Sequence, residues 1–455
     1  MYYLFIIIFL LLFTAVTYRK IYWGLAILFL LLPTYLIRFS IGPIPTTLLE
    51  SMIGITTFIW LMQGRKKLWL KTKRLIKKNK FFAASALIFM LGATIAIFTA
   101  VNPVNTLGEW KAFYIEPIII TLILATTIKD KGQLNLIITA LVTSGLATGI
   151  FAIIQQLTGG WMVPAAFWEN NNSYRVTAWY GYPNGVGMYL APMVPLAIYL
   201  VDDSLQKLLD LKQNKLINKI KQIWRKVFQK QQNLTKNKWD WIKLIIGLIT
   251  VPVAILAVLF AKSTAAMVGI AGGVGILLIV YQKTRWWTIG TGIAFLLILF
   301  FLPQENQTKQ ELLFQNRSAQ LRLDMWEETY WFLQDRPVLG AGLTSYKERI
   351  RPYHQNPHIE IFHHPHNLLL TIWVNLGLIG LAGFLGIIGW FYYQAIFREK
   401  IFKTKNRNYI SMFALSTMTL LLIFGLVDSP YIKNDMAILF WLPIAMLILK
   451  HKGLA

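Results

Sequence analysis

The sequence predicts an all-α, polytopic transmembrane helical bundle, because its apolar stretches are long and its charged residues are few. Hydrophobic residues make up 56% of the chain and charged residues 14%, whereas about 25% of the residues of a soluble domain are charged. A helix needs about 20 apolar residues to cross the hydrocarbon core of a bilayer. Residues 81–100 and 244–261 each provide a stretch of this kind without a single charge.

The apolar stretches predict about 12–13 membrane spans. In chain order they lie near residues 3–17, 23–37, 45–62, 81–100, 112–128, 134–157, 183–201, 244–261, 265–281, 286–302, 367–393, 410–427 and 435–449. The first stretch lacks the basic N-terminal region and the small-residue cleavage site of a secretory signal. We therefore expect it to remain as the first span.

Basic residues are concentrated in connections that a thirteen-span arrangement places on one side of the membrane. Residues 65–80 contain nine Lys or Arg and no acidic residue, and residues 204–243 contain eleven Lys or Arg against two Asp. The positive-inside rule makes that side cytoplasmic. The net charge of +25 is thus interpreted as a topology signal, and no nucleic-acid partner is predicted. The basic cytoplasmic loop near 202–243 is expected to lie on the lipid bilayer.

The chain is predicted to consist of three segments. Residues 1–302 form transmembrane helices, residues 303–365 form an external (periplasmic) loop, and residues 366–455 form the C-terminal transmembrane helices. The loop carries seven Lys or Arg against eight Asp or Glu. Its length and its content of Trp, Tyr, Gly and Pro favour a small folded, helical lid over a linker. The loop is predicted to face away from the cytoplasm.

Residues with a chemical role are predicted at the outer face. Five of the six histidines occur between His354 and His366. Three arginines flank external apolar segments, namely Arg175, Arg317 and Arg322. A guanidinium group offers a planar donor fork for phosphate oxygens, and a histidine can transfer a proton near neutral pH. The combination suits a substrate that carries a diphosphate on a lipid and a hydroxyl group that must be activated.

Other classes of chemistry are disfavoured by what the sequence lacks. Glu50, Glu116 and Asp428 lie near the ends of predicted spans rather than at the bilayer centre, where a charge costs several kcal/mol and marks a function. Without mid-membrane carboxylates or an internal repeat, a transporter of a lipid-linked sugar or small anion is the less favoured alternative. The sequence contains no cysteine, which excludes disulfides, thiolate metal sites and a Cys nucleophile.

Three segments resemble the O-antigen ligase and O-antigen polymerase family. RVTAWYGYPNGVGMYL at 175–190 is similar to the family's Arg…Gly…Pro-Asn segment. LRLDMWEETYWFLQDRPVLGAGLTSY at 321–346 is similar to its Arg-x-x-x-Trp…Pro-x-x-Gly-x-Gly block. His366-Asn367, followed after nine residues by Gly-Leu-Ile-Gly at 377–380, resembles its signature. These segments occur in the family's order, whereas the N-terminal spans match it only in hydrophobicity.

The resemblance implies a metal-independent membrane glycosyltransferase without a cofactor. Such an enzyme transfers a glycan from an undecaprenyl diphosphate carrier to an acceptor hydroxyl of a glycan, a lipid or a protein. The resemblance further implies a bacterial cytoplasmic (inner) membrane, with the active site facing the periplasm or the cell exterior. A ligase and a polysaccharide polymerase, which uses a second lipid-linked glycan as acceptor, remain alternatives. By position, His366 would be the general base, Arg175 and Arg322 would bind the diphosphate, and Asn367 would orient the start of the helix.

The turn at 261–265 departs from the family pattern. The family often has a Ser-Arg-Gly-like element here, whereas this chain reads Ala-Lys-Ser-Thr-Ala, with Thr264 where Arg is usual. Lys262 is expected to supply the positive charge, as a point charge rather than a fork. We therefore include Lys262 among the predicted diphosphate ligands.

Several supporting residues have both a structural and a functional interpretation. Gly340 and Gly342 are expected to form a tight turn that returns the lid to the membrane, and a phosphate-binding nest is the alternative. Pro183 begins a span, where proline is tolerated, and Asn184 either helps to initiate the helix or binds sugar. Tyr182 belongs to an interfacial aromatic group whose rings could also stack on sugars.

A zinc site is a less favoured interpretation of the other loop histidines. His354 and His358 have i, i+4 spacing, and a zinc site with Glu360 is chemically allowed. A proline between them makes a shared helix face doubtful. Acceptor contact or loop packing is therefore favoured for both, as for His363 and His364, and no metal site is predicted.

Each principal site residue also has a structural alternative. His366 could cap its helix or lie in the interface. Arg175 and Arg322 could be interfacial anchors paired with Glu169 or Asp324. A non-enzymatic assembly subunit is a further alternative, but it would leave the outer grouping of Arg and His without a purpose.

Overall fold

The structure is a computed structural model, and it confirms the predicted all-α fold. It describes residues 1–42, 44–169, 173–221, 233–304, 306, 309–310, 313, 315–356, 359–399, 401–402 and 409–450. The chain divides into two compact units. Unit 1 consists of Met1–Leu36 and Lys129–Ser263, and unit 2 consists of Ile37–Ile128 and Thr264–Ala455.

Helices account for nearly all regular structure among the described residues. In chain order they are α1 (Tyr2–Arg19), α2 (Ile21–Leu30), α3 (Leu48–Lys78), α4 (Lys80–Phe98), α5 (Pro103–Glu109), α6 (Glu116–Thr127), α7 (Lys131–Leu157), α8 (Ala165–Trp168), α9 (Pro183–Leu190), α10 (Met193–Lys221), α11 (Asn233–Phe260), α12 (Thr264–Val280), α13 (Arg285–Phe301), α14 (Arg317–Asp335), α15 (Tyr346–Arg349), α16 (Leu368–Tyr392), α17 (Tyr409–Phe424) and α18 (Asn434–Lys450). Short 3-10 turns occupy Leu32–Leu36 and Arg351–Tyr353, and π-helical turns occupy Trp110–Ile115 and Tyr393–Arg398. Strands β1 (Arg38–Ile41) and β2 (Ile44–Thr47) form an antiparallel pair.

Each of the thirteen predicted spans overlaps a helix. Among the described residues, seven helices are long and apolar enough to cross a membrane, namely Tyr2–Arg19, Lys80–Phe98, Pro103–Thr127, Lys131–Leu157, Pro183–Leu209, Lys238–Phe260 and Leu368–Arg398. The chain is therefore a multi-pass membrane protein. The basic segment near 202–243 is helical where it is described, because α10 continues to Lys221 and α11 begins at Asn233. The side of the membrane that each connection faces stays a prediction.

Helix α7 is the central packing element of unit 1, where it contacts α2, α10 and α11. Glycines allow the close approach, since a Cβ on Gly149 would lie 2.6 Å from Val253 Cγ1. Asp203 of α10 is buried and pairs with lysines of α7, α10 and α11, namely Lys131, Lys207 and Lys243, at 2.8, 2.7 and 3.3 Å. Because a buried carboxylate without cations would be strongly destabilising, this cluster ties together one end of the three helices.

In unit 2, α4 packs closely along α16. A Cβ on Gly92 would lie 2.5 Å from Gly380 Cα, and a Cβ on Gly383 would lie 2.3 Å from Phe89 N. Small residues at such a contact let two helix backbones approach each other. The second glycine of the Gly-Leu-Ile-Gly motif therefore has a packing role.

The first glycine of that motif, Gly377, interrupts α16. Its φ is +66° and its ψ is −174°, a conformation that essentially only glycine adopts. A segment of the lid lies against the break and supplies hydrogen bonds. The N–H of Leu378 donates to Val338 O at 3.0 Å, and the N–H of Ala341 donates to Val374 O at 2.6 Å. Backbone groups exposed by the break are thereby satisfied.

The lid (residues 303–365, where described) is helical, as predicted, and contains α14 and α15. A buried apolar cluster joins it to α16 and consists of Phe332, Leu333, Ala341, Tyr346, Ile350 and Val374. The lid also binds the end of α4. The N–H of Leu343 donates to Ala96 O at 3.2 Å, and the guanidinium of Arg349 donates to Thr99 O at 2.7 Å. The lid is thus a packed part of unit 2.

Replacing Gly377 with alanine is expected to destabilise the protein. The added Cβ would lie 1.9 Å from Val338 O, and a backbone conformation of this rare kind costs other residues about 1–3 kcal/mol. Thermal unfolding in detergent should show a lower midpoint for Gly377→Ala. Gly389→Ala is the matched control, because Gly389 lies on the same helix and its added Cβ would meet no atom within 4 Å. Equal midpoints for the two variants would contradict this role of Gly377.

Candidate functional site

His366 immediately precedes the cap of α16 and faces Asp428, which lies in the loop between α17 and α18. The distance from His366 Nδ1 to Asp428 Oδ1 is 3.1 Å. Because a carboxylate is an acceptor only, Nδ1 carries the proton of a neutral imidazole, and Nε2 then holds the lone pair. The pair therefore prepares Nε2 of His366 to take up a proton.

Asp428 is almost fully buried, with 1% of its surface exposed. Burial alone would raise its pKa, but the hydrogen bond and charge of His366, the nearby His364 and the backbone N–H of Ser429 lower the pKa to about 2. The Ser429 N–H donates to Asp428 Oδ1 at 2.8 Å. Asp428 is therefore a carboxylate at neutral pH and holds the imidazole in one orientation.

The backbone at His366 is left-handed, with φ of +47°, which is uncommon outside glycine. The following residue, Asn367, caps α16. Its Oδ1 accepts a hydrogen bond from the Leu370 N–H at 3.1 Å, and its Nδ2 donates to Leu426 O at 2.9 Å. Since strained residues persist only where their surroundings fix them, Asn367 helps to hold His366 against the loop that carries Asp428.

Helix α14 brings Arg322 to the same site. The indole N–H of Trp326 donates to Pro365 O at 2.8 Å, which holds α14 beside His366. Arg322 lies four residues before Trp326 and therefore on the same face. Burial lowers the pKa of Arg322, whereas the charge of Asp428 raises it. Because arginine stays protonated, Arg322 adds a fixed positive charge that acts on Asp428.

His364 is a further neighbour of His366. The two rings are nearly perpendicular, and their centroids are 4.7 Å apart. Burial and the neighbouring His366 lower the pKa of His364 to about 4, so its imidazole is neutral. Together with Asp428, the two histidines offer three potential metal ligands within 4.8 Å of one another. The histidine spacing did not predict this set, because its carboxylate lies 62 residues along the chain from His366.

In unit 1, Arg175 and Lys262 lie on neighbouring loops. Arg175 donates from Nε to Ala261 O at 2.9 Å and from Nη2 to Asn184 Oδ1 at 3.2 Å. Lys262 has φ of +49° and donates from Nζ to Ser173 O at 2.7 Å. The structure therefore brings together three residues that the sequence predicted to bind substrate.

The segment that carries Arg175 is fixed by Gln155 of α7, which is buried. Gln155 Oε1 accepts from the N–H groups of Thr177 and Ala178 at 3.0 and 2.7 Å, and its Nε2 donates to Ala178 O at 3.1 Å. Tyr182 follows this segment and directly precedes α9. Gln155 was missed at the sequence level; an amide near the end of an apolar helix was its only signal.

Gly340 and Gly342 form the turn that seats the lid. Their φ values are +64° and +83°, and side chains at either position would clash with backbone atoms of α16 or of the α4 terminus. The amides that follow them, those of Ala341 and Leu343, donate to carbonyls of α16 and α4. In this structure these two amides serve lid packing and are not directed at a phosphate.

His354 and Glu360, the two described members of the alternative zinc site, have other partners. His354 Nδ1 lies 3.0 Å from Glu328 Oε2, and its Nε2 lies 3.0 Å from a backbone carbonyl. Glu360 pairs with a lysine at 3.3 Å instead. His363 is exposed, and His358 lies outside the described residues.

A comparison with protein families matches residues 249–385 to the family described as O-antigen ligase. The matched segment contains the lid, His366 and the interruption of α16, and it confirms the resemblance of the chain to this family. It supports an enzyme of the membrane glycosyltransferase type, either a ligase or a polymerase in general. A comparison with curated proteins gave no match.

The His354–Glu328 pair is expected to stabilise the lid less as the pH rises. The hydrogen bond to Glu328 raises the pKa of His354 above its usual value. The contribution of protonated His354 to the free energy of unfolding is therefore complete below about pH 6.5 and is lost as the pH rises through the raised pKa. The thermal midpoint of the wild type should exceed that of His354→Gln at low pH, and the difference should shrink on going to alkaline pH. A pH-independent difference would contradict an ionic role.

Proposed function

We propose that the protein transfers a glycan from an undecaprenyl diphosphate carrier to an acceptor hydroxyl at the outer face of a bacterial cytoplasmic membrane. The observation that carries this proposal is the His366–Asp428 pair at 3.1 Å, with the charge of Arg322 acting on Asp428. A base, a residue that orients it and a cation are the groups that displacement of a diphosphate by a hydroxyl requires. The acceptor belongs to a glycan, a lipid or a protein, which covers both a ligase and a polymerase.

His366 acts as the general base through Nε2. The acceptor oxygen forms a bond with the anomeric carbon while its proton passes to Nε2. The bond between the anomeric carbon and the phosphate oxygen breaks, and its electron pair stays on the departing undecaprenyl diphosphate. Asp428 orients the ring and stabilises the imidazolium that forms, as the carboxylate of a catalytic triad does.

Positive charge near the pair stabilises the leaving group. The positive charges of Arg322 and Lys433 both interact with the negative charge of Asp428. Cations that are already in place when the diphosphate gains charge lower the barrier without reorganisation. Arg322 is proposed to bind the diphosphate, and Lys433, which sequence reasoning missed, contributes to the positive potential.

For unit 1 the proposal rests on the geometry of that unit alone. The bonds of Arg175 to Ala261 and Asn184 fix the plane of the guanidinium, and Lys262 adds a point charge close by. A fixed guanidinium beside an ammonium suits phosphate oxygens. We assign Arg175 and Lys262 to an anionic group of the donor, and Asn184 and Tyr182 to its sugar.

His366→Ala is expected to lower the transfer rate by about 10²- to 10⁴-fold, the usual contribution of a positioned base. The measurement uses detergent-purified protein, undecaprenyl diphosphate-linked glycan and candidate acceptors in the presence of EDTA. Donor binding should persist in the variant. His363→Ala is the control, because His363 is exposed and close in sequence. A wild-type rate in His366→Ala would refute the base assignment.

Asp428→Asn is expected to lower kcat by about 10²- to 10⁴-fold, because an amide in this position no longer favours the reactive tautomer. The KM for the donor should change little. Loss of the negative charge also removes the stabilisation of the imidazolium that forms during transfer, so the effect should be on kcat rather than on donor binding. A wild-type kcat in Asp428→Asn would leave Asp428 with a structural role only.

A further inference from the structure

One member of the histidine cluster has no part in the proposed reaction. His364 lies against His366, and its Nδ1 is buried without a hydrogen-bond partner among the described residues. A buried polar atom of this kind normally has a partner, and its absence calls for an explanation. The ligand atoms of His364, His366 and Asp428 all lie within 4.8 Å of one another.

We propose that His364, His366 and Asp428 bind a Zn²⁺ ion that inhibits the enzyme. Two imidazoles and one carboxylate, with a water molecule in the fourth position, form a common three-ligand zinc set. Zinc–ligand distances of about 2.0–2.2 Å place neighbouring ligands of a tetrahedral site about 3.4 Å apart. His366 Nδ1 and Asp428 Oδ1 are 3.1 Å apart, so small side-chain rotations convert this hydrogen bond into two zinc–ligand bonds.

Inhibition follows from the tautomer of His366 and therefore rests on the proposed function. In the hydrogen-bonded pair, Nδ1 carries the proton and Nε2 holds the lone pair. A metal on Nδ1 takes that lone pair, and the single proton of a neutral imidazole must then be on Nε2. Zinc therefore removes the base without occupying the position of the acceptor.

The surrounding charges make the site reversible rather than structural. Asp428 supplies one negative charge, whereas Arg322 and Lys433 add positive charge that interacts with it. The positive charges of these two residues repel a dipositive ion bound at Asp428 and so weaken its binding. The site therefore differs from a structural zinc site, in which the metal supplies folding energy.

Zinc binding can be measured without any transfer activity. The full chain, purified in detergent without a polyhistidine tag and stripped with EDTA that is then removed, is titrated with ZnCl₂ in a calorimeter. We expect one zinc ion per chain. His364→Gln should weaken binding by about 100-fold or more, since even loss of an outer-shell partner costs 10- to 100-fold. His363→Gln, which changes the exposed neighbour, should bind like the wild type.

A second variant and a second readout complete the test. Asp428→Asn keeps the side-chain shape and should also weaken zinc binding. In the transfer assay, zinc should inhibit the wild type, and His364→Gln should need about 100-fold more zinc for the same fractional inhibition. Equal zinc affinity in wild type, His364→Gln and Asp428→Asn, or no binding by the wild type, would overturn the proposal. Zinc binding that depends on His364 in a protein without transfer activity would uphold the site and refute the proposed function.

Discussion

The candidate site in unit 2 depends on the interruption of α16 at Gly377. A continuous helix would leave no unsatisfied backbone groups for the lid to bind, and in an apolar environment such groups must be paired. The break exposes a carbonyl and an N–H, which the lid satisfies through Ala341 and Val338. This docking holds α14 over the start of α16, where Trp326 reaches the carbonyl of Pro365. The lid contacts at one non-helical residue thus help to hold the helix whose Arg322 acts on the charge of Asp428.

The second constraint is the burial of Asp428. A carboxylate with 1% of its surface exposed would be protonated in apolar surroundings unless cations and N–H groups stabilised its charge. His366, the Ser429 N–H and the field of Arg322 and Lys433 supply that stabilisation. The same interactions that make the buried charge tolerable also fix the imidazole, so stability and reactivity have one origin. A proton or a dication can satisfy the same pair of atoms, which connects the proposed base to the proposed zinc site.

The two units fix the positions of their candidate site residues through different interactions. In unit 1, hydrogen bonds from Gln155 and from Arg175 itself hold the segment that carries the arginine. In unit 2, an N-cap and the hydrogen bond to Asp428 hold the histidine. Both Lys262 and His366 adopt left-handed backbone conformations, which cost energy and persist only where surrounding contacts enforce them. Rigid presentation of a few polar side chains is the common feature.

The sequence by itself determined the membrane class and the helical fold, because long apolar stretches are local properties. Every predicted span overlaps a helix, and seven of the described helices are long and apolar enough to cross a membrane. Motif spacing also singled out His366, Asn367, Arg322 and Arg175. Only the tertiary structure decided that Asp428 is the partner of His366, that His364 joins them, and that Gly377 breaks its helix to receive the lid. Asp428 is far from both histidines in the chain, and the lid segment that binds at Gly377 belongs to a different element. No local periodicity encodes these contacts, because they arise when helices pack and bury charges that must then find partners.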